Sequence, residues 1–111
     1  MIKIQRFQKS AANPAHEGTI LAMDVLPEGV EAPFEHAWGY LDPHREMAGH
    51  EHPTQEIYFF HRGTGTVMVG DEEATVREGD CVDIPANSYH TVRNDSDEPL
   101  TWFALWWEVA D

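Results

Sequence analysis

The sequence holds a single cysteine, Cys81, in 111 residues. One thiol forms no intrachain disulfide, which excludes the small disulfide-stapled scaffolds and fits a reducing compartment, so cytoplasm is the expected location. Basic residues are scarce: seven Lys and Arg face twenty Asp and Glu, for a formal charge of −13 at neutral pH. Such a field repels phosphate backbones and anionic lipid headgroups, so neither nucleic acid nor a membrane surface is an expected partner. No apolar run approaches the roughly 20 residues of a membrane-spanning helix. The start of the chain, Met1–Phe7, lacks the continuous apolar core of a secretory signal. Helical periodicity is missing too, because seven Pro and eight Gly interrupt the windows where a 3.6-residue repeat would have to run.

What remains is rich in large apolar side chains. Hydrophobic residues make up 41%, with four Trp, five Phe and three Tyr, enough for one domain with a packed core. Short apolar or alternating stretches recur between turn residues. Strands are predicted over Thr19–Leu26, Glu35–Leu41, Glu56–His61, Cys81–Ile84, Ser88–Asn94 and Leu100–Val109, with a hairpin formed by Thr66–Val69 and Ala74–Arg77 around Gly70-Asp71-Glu72. The acidic run at Asp71-Glu72-Glu73 reads as a solvated tip. Residues 1–17 are read as an N-terminal arm with a short strand near Ile2–Ile4 that pairs with a neighbouring subunit, and residues 18–111 as the barrel. The last strand is apolar on both faces, Trp102, Ala104 and Trp106 on one and Phe103, Leu105 and Trp107 on the other. That pattern suits a sandwich interior or a subunit interface, and a homodimer is expected. Many short strands at this spacing predict an all-β barrel or sandwich.

The stretch that carries chemistry is Gly49-His50-Glu51-His52-Pro53-Thr54-Gln55-Glu56. Residues two apart on an extended strand share a face, with Cα atoms about 6.6 Å apart, so His50 and His52 can reach one ion at about 2.0–2.1 Å. Glu56 keeps the same parity, and His90 is a fourth candidate. Three imidazoles and one carboxylate suit one divalent transition metal, Mn, Fe, Co, Ni, Cu or Zn, rather than the oxygen-preferring Ca or Mg. An octahedral ion would keep two positions for a bidentate oxygen ligand, whereas a tetrahedral zinc with all four donors bound would be structural.

In their spacing, His50, His52, Glu56 and Gly63 resemble the first motif of the cupin family, and Gly79, Pro85, His90 and Asn94 resemble its second. His44 stands where the first motif opens with Gly, and Asn87 where the second has its inner Gly. Asn accepts positive φ better than most residues, which makes that exchange mild. The resemblance implies a jelly-roll barrel (a double-stranded β-helix), with His50, His52, Glu56 and His90 as metal ligands and Gly63, Gly79, Pro85 and Asn94 as structural positions. Small one-barrel cupins include isomerases, lyases, decarboxylases and dioxygenases. The expected function is therefore a metalloenzyme acting on a small oxygen-rich molecule, and the alternative a non-catalytic small-ligand binder or sensor.

Roles beyond the four ligands follow from position. His44, six residues before His50, is a candidate to hang over the site mouth as a catalytic group. Tyr58 and Phe60 share the parity of Glu56 and should face the interior, where Tyr58 is a second catalytic candidate as a hydrogen-bond donor to substrate. His61 has the opposite parity and should point away. His16 and His36 have no partner in sequence and read as structural or solvated. Trp38 and Tyr40 are expected in the core, at an interface or on a pocket wall. No base stands near Cys81 to activate it.

Overall fold

A computed structural model describes residues 1–110 as a jelly-roll barrel of two antiparallel sheets. Ten strands follow one short 3₁₀ turn at Lys9–Ala11: β1 Asn13–Ala15, β2 Ile20–Met23, β3 Glu35–Leu41, β4 Arg45–Glu46, β5 Gln55–Arg62, β6 Thr64–Val69, β7 Glu72–Arg77, β8 Cys81–Ile84, β9 His90–Asn94 and β10 Leu100–Trp107. One sheet has the order β1-β2-β3-β10-β5-β8, the other β4-β9-β6-β7. Among the described residues no helix is long and apolar enough to cross a membrane.

Alternation places the core. On β5, Glu56, Tyr58 and Phe60 are buried between less buried neighbours, and on β10 Leu100, Trp102 and Ala104 do the same. These side chains meet Leu41, Met47, Ile84 and Val92 inside the barrel. The Trp102 indole fits because β3 offers no side chain at Gly39, where an added Cβ would lie 2.4 Å from Trp102 Cε2. The β5–β6 turn depends on Gly63, whose φ is +88° and whose missing Cβ makes room for the Pro99 carbonyl. Asn94 is fully buried, and its amide donates to the carbonyls of Leu41, Asp42 and Glu98, tying the connections after β3 and before β10 to the end of β9.

Two sequence-based boundaries shift. Ile2–Ile4 forms no strand within the chain. Ile2 and Ile4 stay 85% and 71% exposed, so the stretch has no face to bury, and the arm is held instead by Lys3 Nζ donating to the Glu28 carbonyl and Gln5 to that of Asp24. The barrel also begins earlier than residue 18, at β1. Pro14 sits in that strand without cost to a ladder because β1 is the edge of its sheet.

Candidate metal centre

His50, His52, Glu56 and His90 come together. One donor atom from each lies within 4.8 Å of all the others. β5 delivers Glu56 inward, and β9 delivers His90, which is fully buried. His50 faces His90 through an isolated antiparallel bridge in which each backbone N–H donates to the other's carbonyl, at 3.1 and 2.9 Å. His52 is anchored by its own carbonyl, which accepts from Asn87 N–H at 2.7 Å, with Asn87 in the left-handed region at φ 67°. That conformation is the reason Asn serves there in place of Gly.

The rings are aimed as well as gathered. His90 Nδ1 donates to the Ser88 carbonyl at 3.0 Å. His52 Nδ1 meets Thr54 Oγ1 at 2.7 Å and the Thr54 carbonyl at 3.1 Å. With their Nδ1 protons engaged by carbonyls, the neutral rings present lone pairs at Nε2. Those Nε2 atoms lie 2.9 Å (His52) and 3.2 Å (His90) from Glu56 Oε1, and His50 Nε2 is 3.0 Å from His90 Nε2. Three imidazole nitrogens and a buried carboxylate thus converge as acceptors, an arrangement that asks for a cation. The donor set fits one divalent transition ion.

Electrostatics point the same way. Burial, followed by the neighbouring rings of His16, His90 and His52, holds the His50 pKa down to about 4 against the opposing pull of Glu56, so this ring is neutral and ready to ligate at physiological pH. Tyr58 lies beside the cluster, its ring centroid 5.9 Å from that of His90. Burial and the Glu56 charge push its phenol well above the ordinary range. The hydroxyl therefore keeps its proton, and Tyr58 can donate but not act as a base; it donates to Met47 Sδ at 4.0 Å.

His44 is elsewhere. It precedes β4, whose Arg45 pairs with Asn94, whereas His50 pairs with His90 at the other end of β9. Four strand residues separate those ends by about 13 Å. The His44 ring is exposed and bonded to Asp97 Oδ1 at 2.6 Å, so it does not overhang the cluster. Its φ of 58° explains why the motif position favours Gly. His61 points away as expected, against Trp38 and Thr101, and His36 Nδ1 accepts from Val25 N–H, bracing a loop. Trp38 and Tyr40 lie under Phe7 on the outer face of the larger sheet.

The residue that sequence reasoning missed is His16. It sits in the β1–β2 loop at φ 49°, with its ring centroid 4.2 Å from that of His50. Thr19 Oγ1 donates to the His16 carbonyl and accepts from Ala48 N–H, which locks this loop to the irregular segment that leads into His50. Burial lowers its pKa. His16, His50, His52, Thr54, Glu56 and Tyr58 form the polar side of a cavity of about 450 Å³.

With the geometry in place, the chain proves to match the cupin domain family over residues 37–107, and it belongs to that family. Among solved structures it resembles the plu4264 protein of Photorhabdus luminescens, with 28% identity over 97% of this chain and 89% of that one and a TM-score of 0.85. It also resembles a cupin 2 conserved barrel domain protein of Salinispora arenicola (25% identity, 98% and 91% covered, TM-score 0.86). A predicted oxalate decarboxylase of Thermotoga maritima shares the fold at 18% identity, with 98% and 100% covered and a TM-score of 0.77. No curated protein matches the sequence.

Proposed function

We propose that the protein is a metal-dependent cupin enzyme acting on a small molecule that presents two oxygens to the His50, His52, Glu56 and His90 centre. The observation that carries this reading is the convergence of four acceptor atoms within 4.8 Å, with His50, His52 and Glu56 of that set lining a cavity large enough for a substrate. A divalent transition metal held there supplies a Lewis acid that stabilises negative charge developing on substrate oxygens, the chemistry shared by isomerase, lyase, decarboxylase and dioxygenase reactions. The chain's own residues then have separate tasks. Ser88 and Thr54 fix the His90 and His52 rings through Nδ1. Tyr58, among the residues lining the cavity, carries a hydroxyl that keeps its proton, and His16 offers a neutral imidazole beside His50.

A non-catalytic binder or sensor is the second reading. It is favoured by one observation: among the described residues no Lys, Cys or Asp lines the cavity to serve as a dedicated base. The two readings part in a turnover screen of the metal-loaded protein against diketones, catechols and sugar acids. Product formation that disappears in His52→Ala supports the enzyme; tight binding of a compound recovered unchanged after prolonged incubation supports the binder.

A further inference from the structure

We infer that the site selects a ligand with a flat, apolar body behind its oxygen pair, and discriminates against polyhydroxylated or doubly charged acids. The inference rests on the proposed metal-centre reading and adds what the rest of the cavity recognises.

The cavity is divided by chemistry. Beside its polar groups, and on the neighbouring strands of the larger sheet, the lining is built from Ala22, Ala37, Gly39, Trp102, Ala104 and Trp106. Register explains the shape of that wall. Ala22 pairs with Gly39 and Gly39 with Trp102, so two adjacent strands carry almost no side chain where the Trp102 indole lies. In the next inward row Ala37 pairs with Ala104, which in turn pairs with Tyr58. Trp102, Ala104 and Trp106 share one face of β10, so a methyl group stands between two indoles, each about 7 Å away along the strand. Small residues flanked by indoles make a slot that a planar ring or short hydrocarbon fills.

The polar side is equally selective. Among the described residues, Glu56 is the only carboxylate lining the cavity, and no Lys or Arg lines it. A ligand with a second carboxylate or a phosphate would find no counter-charge, and in a protein of charge −13 it would also meet repulsion. A sugar acid would bury several hydroxyls against Ala and Trp side chains without partners. A volume of about 450 Å³ lies toward the lower part of the range for small-molecule sites, roughly 300–1,000 Å³. One chelating head and one ring account for that space.

The test uses the full chain loaded with Ni(II) and two probes that share a dicarbonyl head, acetylacetone and 1-phenyl-1,3-butanedione, with gluconate as the polyhydroxy control. Binding is read from the metal absorption bands and from tryptophan fluorescence, since two indoles line the slot. The expected result is 1-phenyl-1,3-butanedione at least tenfold tighter than acetylacetone and gluconate weaker than both. Ala104→Leu should erase the phenyl advantage while leaving one Ni(II) per chain. If that variant does not fold, Ala22→Val at the edge of the same wall reports instead. Full Ni(II) occupancy with no phenyl preference, or with gluconate the tightest, overturns this inference and leaves the proposed metal site standing. Failure to take up Ni(II) or any other divalent transition ion overturns the proposed function, and the inference with it.

Discussion

His50 refuses a proton until the pH falls to about 4, chiefly because burial disfavours its charged form. In the unfolded chain the same ring titrates near 6.5. Between those two values the unfolded state takes up a proton that the folded state does not, so this group's contribution makes metal-free protein less stable as the pH drops from about 6.5 toward 4 and has no effect above that window. His16, also lowered by burial, acts in the same direction. Thermal unfolding of metal-free protein across that range should show the midpoint falling on the acid side, with a smaller fall in His50→Gln. Equal slopes in the two proteins would contradict the assignment. Residue-scale reading from sequence succeeded where spacing carries geometry: His50, His52 and Glu56 lie on one short segment, and strand parity alone puts Tyr58 inward and His61 outward. It failed for His16 and His44. His16 reaches His50 only because an edge hairpin folds back over the barrel, a contact between residues 34 positions apart that no local pattern encodes. His44 is near His50 in the chain, but β4 intervenes and carries it to the far end of β9.

Elements were legible where a turn residue marks both ends. Glu35–Leu41 is closed by Asp42-Pro43, and Cys81–Ile84 lies between Gly79-Asp80 and Pro85; both strands have the expected bounds. β5 is one residue longer at each end. The two shortest strands were not legible. β1 contains Pro14, which argues against a strand unless its edge position is known, and two residues at β4 carry no periodicity. The pair β3 and β10 shows how closely elements are fitted: the indole of Trp102 lies where a Gly39 side chain would be. Gly39→Ala should therefore cost about 1–3 kcal/mol through overpacking, read as a lower urea midpoint with an unchanged slope. Equal or greater stability would mean that the indole has room to move.

At the scale of the whole molecule, a charge of −13 keeps copies of the chain apart wherever acidic groups face one another. The outer face of the larger sheet differs. Phe59 stacks on Phe103 with ring centroids 5.0 Å apart, Trp38 meets Phe103 at 5.6 Å, and Phe59 remains 36% exposed. We propose that the homodimer expected from the sequence covers this apolar face. Light scattering should then give twice the chain mass for wild type and a shift toward monomer for Phe59→Glu; monomeric wild type at micromolar concentration would remove the dimer from the account.

The proposed function and the ligand class both depend on one cation seated among His50, His52, Glu56 and His90. The direct measurement is elemental analysis and competitive titration of the chain with Mn, Fe, Co, Ni, Cu and Zn, beside His90→Ala. The account predicts one transition ion per wild-type chain and an affinity loss in the variant beyond the roughly 10–100-fold that removal of an outer hydrogen-bond partner costs. A wild-type chain that holds no ion, or a His90→Ala protein that holds it equally tightly, would contradict it.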